Sequence, residues 1–276
     1  MQNKEYRRTG RPLFHLYSHF MAMFRRTLRG LFSIYGFLVF LALLLVVFPF
    51  VVLASLFGKV KGGNMIYDIC EVWADIGMAF WGIRHRNIYE APHHPGHPLV
   101  FVFNHNSYMD IPVIMKTFRR QHYRVLGKAE MGRIPVFGFI YRNAVVMVNR
   151  NNAAARAKSV SRLMATLRKN ISIVIAPEGT FNTTGEPLKE FYDGAFRIAI
   201  ETGTPVKPVL FLDAADRLHH SSIFSLSPGR SRSVFLEEIP VDGLTMNDVP
   251  LLKEKVYRIM EEGLIRYNVS WLDGRK

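Results

Sequence analysis

From Leu31 to Phe57 the chain runs 27 residues without one charged side chain. Such a run has no polar face to give to water, so protein or lipid must cover most of its circumference. As one helix it would reach about 40 Å, beyond the roughly 30 Å hydrocarbon core of a bilayer. A signal peptide does not account for it, because its apolar stretch is only about 7 to 15 residues. Pro49 lies inside the run and is expected to kink or break it. Lys4, Arg7, Arg8, Arg11, Arg25, Arg26 and Arg29 precede the run against a single Glu5, and Lys59 and Lys61 follow it. Lys and Arg favour the cytoplasmic side of a membrane, so basic flanks at both ends favour a re-entrant or interfacial hairpin over a single span.

Met65 to Ile83 reads as the second arm. Met65, Ile66, Ile69, Val72, Trp73, Ile76 and Phe80 recur at helical intervals. Asp68, Glu71 and Asp75 share the opposite face, and Trp73 and Trp81 suit a headgroup boundary. An amphipathic helix packed on the rest of the protein fits the same pattern. The expected organisation is a basic cytoplasmic tail over 1–30, a membrane-associated helical hairpin over 31–83 and a third unit over 84–276.

Past the hairpin the pattern changes to short apolar runs alternating with helical segments. Leu99 to Phe103, Tyr123 to Leu126, Ala144 to Val148, Ile171 to Ala176, Val206 to Leu212 and Ser233 to Glu237 read as strands. Pro208 inside one of them calls for a bulge or a sheet edge. Helices are expected over Ile111 to Phe118, Pro135 to Tyr141, Asn151 or Asn152 to Lys169, Ala195 to Thr202 and Asp248 to Tyr267. This alternation predicts an α/β fold, a mixed and largely parallel sheet flanked by helices, with the N-terminal membrane-associated helical arm attached.

Charge narrows the class of partner. The net charge is +14, and thirteen Lys and Arg lie between Lys116 and Lys169 against the single acid Glu130. That bias calls for a polyanion, and the apolar run favours a membrane surface and phosphate over nucleic acid. A lone Cys70 excludes an internal disulfide. His93, His94 and His97 lie in a Pro- and Gly-rich linker with no Cys or acid near them in sequence, which reads as solvated histidines rather than a metal site.

The chemistry is expected just past the Leu99 to Phe103 strand, where α/β folds place it. His105 and Asp110 are five residues apart, about 140° around a continuous helix, so they meet only if His105 lies on the loop and Asp110 opens the helix. Asp110 could then hold the ring Nδ1 proton and leave Nε2 basic; equally, Asp110 could simply cap its helix. Ser107 has no Gly-x-Ser-x-Gly elbow around it, so a base without a nucleophile points to direct transfer. Glu178-Gly179-Thr180 also follows a strand, and could face the same cleft with polar side chains and a close backbone approach, or be only a turn.

Together these blocks resemble the glycerophospholipid acyltransferase family, which includes 1-acylglycerol-3-phosphate acyltransferases. Asn104-His105-Asn-Ser-Tyr-Met-Asp110 is similar to its first motif. Gly127-Lys128-Ala-Glu130 through Pro135 and Gly138, closing at Val148-Asn149-Arg150, resembles the second. Pro177-Glu178-Gly179-Thr180 resembles the third, and Thr204-Pro205-Val-Lys-Pro208 the fourth. The resemblance implies His105 as general base, Asp110 as its orienting partner, an acceptor site at Glu178, Gly179, Thr180 and Arg150, and supporting roles for Asn104, Lys128, Pro135 and Gly138. It implies an acyl-CoA or acyl carrier protein donor, a lysophospholipid acceptor, an anionic membrane surface at the cytoplasmic face, and no metal or redox cofactor. Two positions depart from the pattern: Phe181 stands where Arg is common, and Asn149 where Asp is common. Losing a bidentate Arg removes a phosphate contact worth about 1.5–3 kcal/mol, which opens the acceptor to a different lysolipid. A non-catalytic module that binds anionic lipid is the remaining alternative.

Overall fold

The computed structural model describes residues 11–272 except Pro95, Arg120, Arg150 and Asn151. The first ten residues of the basic tail and Arg150 therefore lie outside the described residues.

The apolar run is part of one helix, α1 (Arg11–Ser55), which also takes up the basic segment from Arg11 onward. It continues through Pro49, contrary to the expected break. Val51 and Ala54, 0% and 1% exposed, anchor the turns beyond the proline in the core, and that packing holds the helix on. A π-turn over Gly58–Gly62 reverses the chain into α2 (Gly63–Phe80). The turn is tight because two glycines permit it. A Cβ on Gly62 would strike the Ala54 carbonyl, and one on Gly63 would strike the Arg124 guanidinium. Trp81 Nε1 donates to the Gly36 carbonyl at 3.0 Å, and Phe40 meets Trp73 edge-to-face at 5.7 Å. Trp73 and Trp81 are thus buried between the arms, 7% and 5% exposed, and do not occupy a headgroup boundary as expected. An indole satisfied by an internal carbonyl looks the same in sequence as one at an interface.

Next come β1 (Ile83–Tyr89), β2 (Val100–Phe103), α3 (Asp110–Thr117), β3 (Tyr123–Lys128), α4 (Phe137–Ala144), β4 (Val146–Val148), α5 (Ala153–Leu167) and β5 (Ser172–Ile175). The chain closes with α6 (Gly194–Thr202), β6 (Val206–Phe211), the short α7 (Ala214–Arg217), β7 (Gly229–Phe235) and α8 (Val249–Arg266). The seven strands form one sheet in the order β1-β7-β6-β2-β5-β3-β4, parallel except between β6 and β7. The mixed, largely parallel sheet is the one expected. β1 was not: Arg84 and Arg86 put charge on the outward positions of an edge strand, which hides the pattern of a strand in the sequence. β7 begins at Gly229, earlier than the expected Ser233.

Pro208 lies in the sheet interior beside a bulge. Val206 faces Ile239 and Val209 faces Phe235. Residues 207 and 208 therefore stand opposite 236, 237 and 238, and the register slips by one where the proline has no N–H to give.

Alternation along β2 divides the interior. Phe101 and Phe103 face a core shared with the hairpin, α3 and α4, while Val100 and Val102 face one shared with α5, α6 and α8. The hairpin is therefore one layer of a three-layer structure. Asp75 on α2 also pairs with Lys116 and with Arg119, the latter at 2.6 Å, tying the hairpin to α3 and to the second residue beyond it. Outward, α1 exposes Phe37, Leu38, Leu45, Val46, Phe50 and Leu53. His19–Ser55 is long and apolar enough to cross a membrane by length and composition.

Gly62→Ala is expected to destabilise the protein by about 1–3 kcal/mol through overpacking against a carbonyl that cannot move cheaply. Gly30→Ala, whose Cβ meets no neighbour, is the matched control. Thermal melts of the two variants in detergent check the difference.

Candidate active site

Strands β2, β5, β3 and β4 are adjacent and parallel, so their carboxyl ends lie on one edge of the sheet. His105 follows β2, Glu178 follows β5, Lys128 ends β3 and Asn149 follows β4. Three of the four sequence blocks meet at one edge for that reason, while the fourth, Thr204 to Pro208, lies at the start of β6 on the opposite edge.

The loop after β2 is fixed from several sides. Asn104, 2% exposed, donates from Nδ2 to the Phe211 carbonyl at 3.0 Å and accepts the Phe211 N–H at Oδ1 at 2.8 Å. This locks the loop to the end of β6. The His105 N–H donates to Glu178 Oε1 at 2.7 Å, and the His105 carbonyl accepts the Asn182 N–H at 2.7 Å. With its backbone held on both sides, His105 sets its ring Nδ1 2.6 Å from Asp110 Oδ2. The ring lies edge-on to Phe103 and Phe181, with centroids 5.8 Å and 4.4 Å away. Its side chain is 28% exposed, and Nε2 has no protein partner among the described residues.

Asp110 opens α3 but does not cap it: the N-cap is Met109, with no side-chain cap. Its Oδ2 also accepts the Asn106 and Ser107 amides at 3.3 Å each. Burial pushes its carboxyl up, while the His105 hydrogen bond and these amides pull it down. The helix-cap reading thus gives way to the loop geometry that lets the pair meet. Ser107 is occupied: its Oγ donates to the Leu218 carbonyl at 2.5 Å and accepts the Met109 N–H at 2.9 Å. Asn106 carries no motif signal. Its side chain is 3% exposed beside the dyad, with neither Nδ2 nor Oδ1 bonded to protein among the described residues.

Glu178, Gly179 and Thr180 separate in direction. Gly179 takes φ 71°, a left-handed turn that glycine adopts freely. Glu178 goes inward, 1% exposed, with Oε1 on the His105 amide and Oε2 on the Lys189 amide at 2.8 Å. It braces the histidine loop. Thr180 is exposed and accepts from Lys189 Nζ at 2.8 Å. Phe181 stacks edge-on to Tyr108 at 4.8 Å, walling the histidine. Lys128 and Pro135 are exposed, while Gly138 is buried where a Cβ would strike the Gly132 carbonyl. Away from this edge, the linker histidine His93 stacks on Phe235 at 4.9 Å instead of being solvated, and His97 pairs with Glu238 at 2.9 Å. No group of three or more His, Cys, Asp or Glu converges as a metal site among the described residues.

Residues 83–212 match the acyltransferase family model, from the start of β1 to the residue after β6. Over that stretch the chain is similar to the acyltransferase family. It is 30% identical over 191 residues to human 1-acyl-sn-glycerol-3-phosphate acyltransferase beta, covering 66% of this chain and 65% of that protein. It is 28% identical over 204 residues to the chloroplastic 1-acyl-sn-glycerol-3-phosphate acyltransferase BAT2 of Brassica napus, covering 73% and 57%. The chain thus spans less than two thirds of the length of these relatives. Its fold is similar to the crystal structure of the 1-acyl-sn-glycerophosphate acyltransferase PlsC from Thermotoga maritima, with a TM-score of 0.71, 20% identity, and coverage of 88% of this chain and 98% of that one.

Burial raises the Glu178 carboxyl from 4.5 to about 7, against the two amides that lower it. A raised carboxyl binds its proton more tightly when folded, so its stabilisation is full below pH 4.5 and is lost as the pH rises through about 7. Glu178→Gln turns an NH₂ toward one of the two amides, costing about 1–3 kcal/mol. Melts between pH 4.5 and 7.5 are expected to show a falling slope in the wild type that the variant lacks.

Proposed function

We propose that the protein transfers an acyl chain from an acyl thioester, carried by coenzyme A or acyl carrier protein, to the free hydroxyl of a 1-acylglycerol-3-phosphate, giving phosphatidic acid. The observation that carries this reading is the His105 Nδ1–Asp110 Oδ2 contact of 2.6 Å, with Nε2 unpaired among the described residues and the nearby serine hydroxyl occupied. Nε2 takes the proton of the acceptor hydroxyl as its oxygen attacks the thioester carbonyl. Asp110 stabilises the imidazolium so formed without taking its proton. The tetrahedral intermediate expels the thiolate, which receives that proton, so histidine returns to its starting state. No metal or redox cofactor enters this balance.

Glu178 acts by holding His105, whereas Gly179, Thr180 and Arg150 are the groups assigned to the acceptor and its phosphate, with Lys128 in a supporting place beside them. The printed names of the relatives support a glycerol phosphate acceptor. The apolar outer face of α1 supports attachment to a membrane, and the basic flanks of the run support a catalytic edge on its cytoplasmic face. One observation favours a second acceptor: Phe181 fills the space beside His105 where the family pattern has Arg. A less charged lysolipid headgroup suits that wall.

Purified protein offered acyl-CoA or acyl carrier protein thioesters with a panel of lysolipids is expected to turn over lysophosphatidate fastest. His105→Ala is expected to lose about 10²- to 10⁴-fold in rate. Faster turnover of an acceptor without a phosphate monoester would transfer the assignment to the second headgroup, and an active His105→Ala protein would refute the base.

A further inference from the structure

A second basic site lies on the opposite edge of the sheet. A cleft of about 550 Å³ opens between the hairpin turn, α4 and α5, lined by Lys59, Arg124, Arg142, Arg162 and Lys169, with no acidic residue in its lining. Arg124 is the second residue of β3 and Lys128 its last. Four residues of strand, about 13 Å, therefore separate Arg124 from Lys128. One phosphate cannot touch both of these residues.

The cations in the cleft lack counter-charges. Arg124 is 6% exposed, and its guanidinium donates to the carbonyls of Tyr123, Lys59 and Val60 at 2.7, 3.1 and 3.0 Å. Lys59 donates to the Arg142 carbonyl and to Asn143 Oδ1, and Arg142 to the Gly132 carbonyl. These are neutral acceptors. They satisfy donors but leave the charge standing, and none of the five has a carboxylate partner among the described residues. Lys59, Arg142, Arg162 and Lys169 are exposed around the buried Arg124, so like charges crowd one open cleft, and a bound anion relieves their repulsion. A buried Arg with no acid is unusual for a purely structural role.

We propose that this cleft binds the phosphate of a membrane phospholipid that is not the substrate, beside the hairpin turn. Anion chemistry follows from the five cations, and the lipid source from what adjoins them. Lys59 and Val60 follow directly on Leu53, Leu56 and Phe57, which are 58%, 78% and 55% exposed, and Val60 is itself 40% exposed. The headgroup phosphate enters the cleft while its acyl chains lie along this apolar wall, and Lys61, over the Phe57 ring at 5.4 Å, adds a rim charge. The choice of a lipid source rests on the membrane reading of α1; the anion site itself does not.

The test uses the full chain in uncharged detergent micelles, with inorganic phosphate and dioctanoyl phosphatidylglycerol as separate probes and thermal stabilisation as the readout. Arg124 stays in place because it holds the hairpin turn. In a Lys128→Gln/Arg150→Gln background, which removes two cations of the second family motif, both probes are expected still to raise Tm, the lipid at the lower concentration. Adding Arg162→Gln and Lys169→Gln is expected to weaken the apparent affinity for both by about 10-fold or more. A shift that survives these two substitutions, or no shift with either probe, overturns the site. A shift with phosphate and none with the lipid overturns the lipid source while leaving acyl transfer untouched.

Discussion

A carboxylate that is 1% exposed is stable as an anion only if its charge is answered on the spot. Asp110 receives part of that answer at Oδ2, from the His105 ring and the amides of Asn106 and Ser107, while burial still holds its carboxyl above the usual range. The arrangement needs a loop bent back on itself between β2 and α3, and much of the surrounding structure keeps it bent. Asn104 ties the loop to β6, Glu178 and Asn182 hold the two backbone groups of His105, and Ser107 ties it to Leu218. The same burial that makes Asp110 expensive keeps water from competing for Nδ1, which leaves Nε2 as the ring nitrogen turned away from the carboxylate.

The hairpin belongs to this account because it is part of the core. Phe101 and Phe103, which precede the loop that carries His105, share their core with Leu44, Val51, Ile66 and Trp73 of the two arms. Asp75 reaches from α2 to Lys116 and Arg119 at the end of the helix that Asp110 opens. A displacement of the arms would therefore be felt by α3. Membrane attachment and catalysis, as proposed, would share one packed interior, and the two anion sites would occupy opposite edges of one sheet.

Much of this was readable from local patterns. The strand before Asn104, the cap at Asn152 and the strand before Pro177 each have a run length, breaker or capping residue that acts over a few residues. What could not be read depends on partners distant in sequence. β1 looks polar because its outward positions are arginines on an edge. Trp73 and Trp81 looked interfacial until the facing helix supplied a carbonyl and a ring. Glu178 looked like a residue for substrate, yet its oxygens belong to two amides, 73 and 11 positions away in the chain. Pro49 shows the same limit, since a proline's intrinsic penalty is outweighed where packing holds both sides.

The account makes Asp110 act only through His105, and a double-mutant cycle in kcat/KM tests that dependence directly. It predicts that Asp110→Asn slows the wild type about 10²- to 10⁴-fold and adds no further loss in a His105→Gln background. Losses that multiply in the double variant would mean that each residue serves the reaction independently, and would contradict the dyad.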